Sequence, residues 1–409
     1  MRIGIFGGSF DPVHNGHIAM IESAMKSGFI DCVIIIPSVR NSFKLYTNKL
    51  PPPYRLYMMK ETVEGLGIKN CFVSDVEYDI EGVSYTAVVL ARLTSDQYIS
   101  DFLIANGIKR KKAEEHHDFF WIMGSDTLGS FETWYKPGEI LNFVTLLAAV
   151  RPGDGTDVDK AKDSIEKNLG GKVEIFRLNG IECSSSGITG SGDFSEVPEP
   201  AREFIARHAL YSDNTMLSGI SDDAKKTFFE SSVWMYHYLG GKRLLHTLNV
   251  GYLSAHLAEV FGCDKDKALI AGALHDCAKE LPLEEQHELA KKYSGDLFTE
   301  KKLLHSPAGA TFAKEQFGIE DPEILDAICY HTTGRGDMTL LEKIVYLADK
   351  IEPSRNYTDL TPIREAAEKD LESAMRMTAA AVRDKFVSQG RDIHPMTLLM
   401  MKDLGMIIE

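Results

Sequence analysis

The stretch Ile3-Gly4-Ile5-Phe6-Gly7-Gly8-Ser9-Phe10-Asp11-Pro12-Val13-His14-Asn15-Gly16-His17 decides the fold of the first half of this chain. Its short apolar opening reads as a buried strand. Gly7, Gly8, Ser9 and Phe10 then turn the chain into a helix. A strand, a glycine turn and a helix start together present backbone N–H groups where phosphate oxygens can approach closely. His14 and His17 are three residues apart, so both imidazoles share one helical face beside that turn. Two imidazoles there can hold a polyphosphate and offset charge on a leaving pyrophosphate. Gly7-Gly8-Ser9 alone would serve equally well as a structural turn. The histidine pair directly after a first strand makes the pattern far more specific.

Three further apolar runs, Cys32 to Ile36, Phe119 to Met123 and Val144 to Val150, read as buried parallel strands. Helical patterns lie between them, which implies βαβ units on one parallel sheet. The charge run from Lys109 to His117 reads as a solvated loop or helix end. From about Thr215 strand patterns vanish and helical periodicity takes over. One long helix carries Leu244, Leu245, Leu248, Tyr252, Leu253, Leu257, Val260 and Phe261, and closes at Gly262. The expected organisation is an α/β domain over 1–211, a polar linker over 212–221 and an all-α bundle over 222–409.

Bulk properties fit that division. A chain of 409 residues has room for two or three cores. The net charge of −15 argues against a nucleic-acid binder, without excluding small anionic substrates. Six cysteines with no C-x-x-C pair fit reduced thiols in a cytoplasm. Met1 to Phe6 reads as a strand and not as a signal peptide, and no apolar run is long enough to span a membrane. A cytoplasmic enzyme with no membrane and no nucleic-acid partner is expected. A homo-oligomer is compatible with this reading.

The second half carries six imidazoles and carboxylates with no sulfur partner: His246, the pair His275-Asp276, His305, His331 and Asp349. Nitrogen and oxygen donors of this kind suit Fe, Mn, Ni or Zn held with open positions. A lone histidine on an apolar helix is usually a satisfied core residue. An adjacent His-Asp is different, because burying both is expensive unless they pair or bind a metal. His246 opens the long helix and His275-Asp276 closes the run Ala268 to Leu274. His305, His331 and Asp349 are each expected to follow an apolar helical run, so all six can converge on one cavity.

On these residues the first half resembles the nucleotidyltransferase superfamily, and within it the nicotinate-mononucleotide adenylyltransferases, whose fold is a Rossmann-like parallel sheet. The opening G-G-S-F-D-P-x-H-x-G-H matches completely. Ser84-Tyr85-Thr86, Gly124-Ser125-Asp126 with Trp134, Arg151-Pro152-Gly153 and Val197 to Tyr211 resemble further family segments. The resemblance implies adenylyl transfer from ATP, carried with Mg, to nicotinate mononucleotide in NAD synthesis. It assigns catalysis to His14, His17 and Lys44. It assigns nucleotide binding to Gly7, Gly8, Ser9, Phe10, Tyr85, Thr86, Gly124, Asp126, Trp134, Arg151, Ser184 and Ser185. Two segments depart from the family. Its P-P-H-K reads Asn41-Ser42-Phe43-Lys44, and its I-S-S-T-x-I-R ends in Thr189 where an arginine meets the ATP phosphates. Threonine supplies neither the charge nor the bidentate geometry of arginine.

The second half resembles the HD superfamily of metal-dependent phosphohydrolases, and within it the symmetrical diadenosine-tetraphosphate hydrolases. Tyr330-His331-Thr332-Thr333-Gly334 and Tyr346 to Arg355 carry that subfamily's patterns. The resemblance implies an HD-domain helical bundle holding one or two transition-metal ions, Fe or Mn. One ion falls to His246, His275, Asp276 and Asp349. A second falls to His305 and His331, with Asp276 bridging. Asp276 and Lys279 then serve catalysis, and His305, Thr332 and Arg355 face the substrate. Diadenosine tetraphosphate would yield two ADP. The chain is therefore expected to be bifunctional. Two alternatives stay open: a hydrolase with a weak or non-catalytic nucleotide-binding first domain, or an HD phosphatase for another nucleotide.

Overall fold

Six strands form one all-parallel sheet in the order β3-β2-β1-β4-β5-β6. They are β1 (Arg2–Gly8), β2 (Cys32–Pro37), β3 (Cys71–Val73), β4 (Asp118–Gly124), β5 (Thr145–Val150) and β6 (Val173–Arg177). The computed structural model describes residues 1–40, 50–150, 157–178, 183–212, 217–357 and 359–407. β2 is buried along its whole length, as a strand covered by helices on both faces must be. β1 pairs with β2 through Ile3↔Cys32 and with β4 through Arg2↔Asp118. The order therefore reverses between β1 and β4. In open α/β sheets this is the switch point where ligands bind, at the carboxyl ends of the strands. Gly7 and Gly8 end β1 there, and both must be small. A Cβ on Gly7 would lie 2.7 Å from the Trp121 ring, and one on Gly8 would lie 2.9 Å from Phe10.

Four of the six strands coincide with the expected apolar runs. β3 and β6 were not expected. β3 has three residues, too few to show a period, and β6 is an edge strand with Glu174 and Arg177 among its five. The 109–117 charge run contains the short helix Arg110–Ala113 and is exposed except at Ala113 and His117.

The chain divides into two compact units, Met1–Phe204 and Ile205–Glu409. The division falls before the expected 212–221 linker. In that stretch Leu217 and Ile220 are buried, and Ser221 caps helix Asp222–Met235. The regular elements of the second unit are all helices among its described residues. Its centre is the crossing of helix Gly241–Phe261 with helix Lys265–Leu274. Gly272 meets Gly251 there, and a Cβ on Gly272 would lie 2.8 Å from the Val250 carbonyl oxygen and 2.9 Å from Gly251 Cα. Gly262 closes the long helix with φ of 70°. No helix among the described residues is long and apolar enough to cross a membrane.

The backbone-to-backbone contact at Gly272 predicts a measurable cost. Gly272→Val should destabilise the helical unit by about 1–3 kcal/mol, the scale of overpacking a tight core. Denaturant unfolding followed on that unit's own transition would check it. An unchanged midpoint would show that the crossing has slack.

Candidate active sites

At the end of β1 the two histidines of the opening motif meet. His14 precedes helix Asn15–Lys26 in an extended conformation, and its backbone N–H donates to His17 Nδ1 at 3.1 Å. The two rings stack with centroids 3.6 Å apart. Phe10, at φ of 50°, sets its ring edge-on to His17 at 4.9 Å. Burial, with His14 alongside, holds His17 well below the usual imidazole range. His17 is therefore neutral. Since its Nδ1 accepts, its proton sits on Nε2. The Ser9 carbonyl is pinned by buried Arg55 at 2.8 Å.

Ser185 Oγ donates to the Pro12 carbonyl at 2.9 Å, and Cys183 Sγ lies 3.2 Å from His14 Nδ1. This brings the 183–189 segment to the histidines. Ser184 caps helix Ser185–Ser191 by accepting from the Gly187 N–H. Thr189 is exposed, and its hydroxyl donates back to the Ser185 carbonyl at 3.1 Å. Across the switch point Gly124 ends β4, and exposed Asp126 lies in the helix Ser125–Gly129 that follows. Trp134 packs edge-on to Trp121, the ring that touches Gly7. Tyr85 stacks on Tyr135 at 4.2 Å, and Thr86 opens helix Thr86–Leu93. Lys44 and Arg151 lie outside the described residues, as do Asn41-Ser42-Phe43 and Pro152-Gly153.

In the helical unit all six expected ligands are buried and converge. His305 Nε2 and His331 Nε2 lie 3.3 and 3.5 Å from Asp276 Oδ1. His246 Nε2 and His275 Nε2 lie 3.1 and 3.7 Å from Asp349 Oδ1. Three overlapping triads have ligand atoms close enough for one ion each: His246-His275-Asp276, His275-His331-Asp349 and Asp276-His305-His331. One expectation is corrected. His305 opens helix His305–Phe317 after a run of turns and does not follow an apolar helix. The preceding helix Leu283–Ser294 has already ended at Gly295.

His275 and His331 sit just past the ends of their helices. The last-turn carbonyls there lack intrahelical partners. Each imidazole uses one, with Nδ1–H donating at 2.7 Å to the Gly272 and Ile328 carbonyls respectively. Their Nε2 lone pairs then face the cavity. Burial pushes His275 down to about 3. Burial opposes ionisation of Asp276, but His275, His331, His305 and Lys279 hold it well below the usual carboxylate range. His275 Nε2 and Asp276 Oδ1 have no hydrogen-bond partner among the described residues. Buried polar atoms of this kind are normally satisfied. Two orphaned lone-pair donors among imidazoles and carboxylates fit a divalent metal.

Each carboxylate is also met by two cations. Asp276 has Arg243 at 2.7 Å and Lys279 at 3.8 Å, and Asp349 has Lys350 at 2.5 Å and Arg355 at 3.0 Å. Lys279 Nζ also donates to His305 Nε2 at 2.8 Å, and Thr332 Oγ1 lies 3.0 Å from His331 Nε2. Sequence reasoning missed Arg243, Lys350 and Glu352. Arg243 precedes His246 by three residues and so shares its face, a signal open to notice. Glu352 Oε1 lies 3.1 Å from His246 Nδ1, and its Oε2 accepts from Asn249 and from the Ser354 N–H. It orients His246 as the carbonyls orient the other two.

With this geometry in hand, the comparisons are direct. The Cytidylyltransferase-like family matches residues 5–189 and the HD domain family matches residues 243–354. A symmetrical bis(5'-nucleosyl)-tetraphosphatase of Bacillus subtilis is 39% identical over 160 residues, 38% of this chain and 86% of the relative. A probable nicotinate-nucleotide adenylyltransferase of Dehalococcoides mccartyi is 30% identical over 218 residues, 52% of this chain and 97% of the relative. The chain belongs to both families, one in each half. Across both halves the chain is also similar to a probable nicotinate-nucleotide adenylyltransferase/Ap4A hydrolase of Mycoplasma pneumoniae. It is 27% identical over 386 residues, 93% of this chain and 98% of the relative. An HD domain implies a divalent metal, which the His/Asp cluster fits.

Glu352 provides the test of the orienting shell. Glu352→Gln turns one acceptor atom into a donor facing His246 and Asn249. Metal affinity, measured by chelator competition, should fall 10- to 100-fold, the usual scale for such partners. Unchanged affinity would reduce Glu352 to a packing residue.

Proposed function

We propose that this chain is a bifunctional enzyme. Residues 1–211 transfer the adenylyl group of ATP to nicotinate mononucleotide, and residues 222–409 cleave diadenosine tetraphosphate symmetrically to two ADP. The observation that carries the second activity is the convergence of six buried nitrogen and oxygen donors around two orphaned lone pairs. Relatives named for each activity support the assignment.

His246, His275, Asp276 and Asp349 would hold one ion, and His305 and His331 a second, with Asp276 shared. Iron is the first choice and manganese the second for this donor set. A bound metal supplies water of lowered pKa and Lewis acidity toward phosphoryl oxygens. The chain's own part is charge and position. Arg243, Lys279, Lys350 and Arg355 offer four cations to a tetraphosphate and to the charge that develops as its central bridge breaks. Thr332 can donate a hydrogen bond to a phosphate oxygen from beside His331.

In the first domain the phosphate of nicotinate mononucleotide attacks the α-phosphorus of ATP. The bond to pyrophosphate breaks, with Mg entering alongside ATP. Neutral His17 carries its proton on Nε2 and would donate it to the departing oxygens, with His14 stacked against it. Gly7, Gly8, Ser9 and Phe10 would bound the phosphate turn, and Ser184 and Ser185 would close it. Tyr85, Thr86, Gly124, Asp126 and Trp134 would bind the two nucleosides. The self-bonded Thr189 hydroxyl brings no charge to that site. It favours the second reading, a domain that binds nucleotide without turnover.

Asp276→Ala should remove the metal and abolish hydrolysis, while adenylyl transfer persists. Metal content by emission spectroscopy and product chromatography check both points. ATP and AMP as products, in place of ADP alone, would defeat the symmetrical assignment.

His17→Ala should cost at least about a hundredfold in adenylyl transfer, roughly 2.7 kcal/mol for one transition-state donor. Thr189→Arg should raise kcat/KM by returning a cation to the phosphates. If the wild type binds ATP in a calorimeter yet transfers nothing to nicotinate mononucleotide, the second reading holds.

A further inference from the structure

Three consecutive residues past β2 join two parts of the first unit's site, and one buried carboxyl holds the middle of the join. The Ser38 N–H donates to the Gly8 carbonyl at 2.8 Å, so the chain leaving β2 is fixed to the glycine turn. The Val39 N–H donates to Glu77 Oε2 at 2.7 Å. The Arg40 carbonyl accepts from the Ser84 N–H at 3.2 Å, and the Arg40 guanidinium donates to the Ile80 carbonyl at 3.1 Å. On one side of this bridge lies the turn that would meet the ATP phosphates. On the other lies Ser84-Tyr85-Thr86, where Thr86 opens helix Thr86–Leu93 and Tyr85 stacks on Tyr135.

Glu77 is the unusual member. It sits in the short helix Val76–Asp79 and is 6% exposed. Glutamates are seldom buried so deeply unless something pairs with them. The reason lies in the sheet. β3 pairs with β2 only as far as Ile35↔Val73. The Val39 N–H is buried and lies past the end of that ladder. A buried N–H left unpaired is costly, and Glu77 takes the place of the missing strand neighbour. Burial pushes the Glu77 carboxyl up to about 7, while the Val39 N–H, Ser84, Arg55 and Arg40 favour its charged form. Near neutral pH both forms are populated. Each has an oxygen that can accept from Val39, so the link survives titration. The residue supplies position more than charge.

Position is what adenylyl transfer demands. The attacking phosphate must meet the α-phosphorus in line, and a misplacement of about 1 Å can cost on the order of 10²-fold. The turn and the histidines form one group, which the Ser185–Pro12 bond joins to the 183–189 segment. Tyr85 and Thr86 stand outside that group, across the bridge, where the acceptor nucleotide would lie.

We propose that Glu77 is a positioning residue for adenylyl transfer: by holding Val39 it fixes Tyr85-Thr86 relative to the Gly7-Gly8-Ser9 turn, and so aligns the acceptor phosphate with the α-phosphorus of ATP. The inference rests on the transferase reading above and extends it to a residue that acts through the backbone.

The test uses the full-length protein with ATP, Mg and nicotinate mononucleotide. Glu77→Asp keeps the charge and draws the accepting oxygen back by one methylene. Glu77→Gln keeps the length and an accepting oxygen and loses the charge. Glu77→Asp should lower kcat roughly ten- to hundredfold, the scale of misalignment. Its ATP affinity by calorimetry should stay at the wild-type value, because buried Arg55 still pins the Ser9 carbonyl. Glu77→Gln should keep kcat within about threefold of wild type, since a neutral acceptor serves the same N–H. Wild-type kcat in Glu77→Asp would overturn the proposal. Equal losses in the two variants would assign the effect to charge and overturn it too. So would a parallel loss of ATP affinity, which marks a general loss of fold. A wild type that transfers nothing defeats the transferase reading and the proposal with it, whereas an unimpaired Glu77→Asp in an active enzyme defeats the proposal alone.

Discussion

The helical unit is organised around one expensive choice, the burial of the Asp276 carboxylate against His275. Taking such a charge out of water costs several kcal/mol even after relaxation. Everything nearby offsets that cost. Three imidazoles and two cations approach the carboxylate, and His275 stays neutral so that it adds no second buried charge. The approach requires helices close enough for side chains as short as histidine and aspartate to meet. The Gly251–Gly272 crossing provides that closeness.

The two sites use the same ring in opposite tautomers. His17 accepts at Nδ1 from a backbone N–H, so its Nε2 carries the proton and donates. His275 and His331 donate from Nδ1 to backbone carbonyls, so their Nε2 is a bare lone pair. The choice is made by where each residue sits on its helix. An N-terminus offers free N–H groups and a C-terminus offers free carbonyls. One residue type thus carries its proton on Nε2 at the start of a helix and a bare Nε2 lone pair at the end of one.

Much of this was legible in the chain. The first strand, its glycine turn and the paired histidines were legible because each constraint is local. The six ligands were legible as residue types, since imidazoles and carboxylates beside apolar helical runs have few other uses. What escaped notice depends on distance in space. Arg243 and Lys350 look like ordinary surface cations until Asp276 and Asp349 are seen beside them. Glu352 lies in a segment that was read for its pattern, yet its role needs His246, 106 positions away. His305 was expected after an apolar helical run, and Leu303 and Leu304 before it lie in turns. β3 and β6 are too short or too polar to show a period.

Glu352 also leads outward. Its Oε2 accepts from Asn249, and the same amide nitrogen lies 3.0 Å from His208 Nδ1. His208 belongs by sequence to the closing segment of the transferase half, yet it falls within the second compact unit. The second unit therefore takes its outermost prop from a residue that sequence alone groups with the first half. A cut at 222 would part His208 from the buried amide it meets. A helical domain beginning at 222 would lack His208, and the Asn249 amide would keep only its bond to Glu352 of these two. The boundary that matters to this cluster therefore lies near residue 205, ahead of the polar stretch that the sequence suggests.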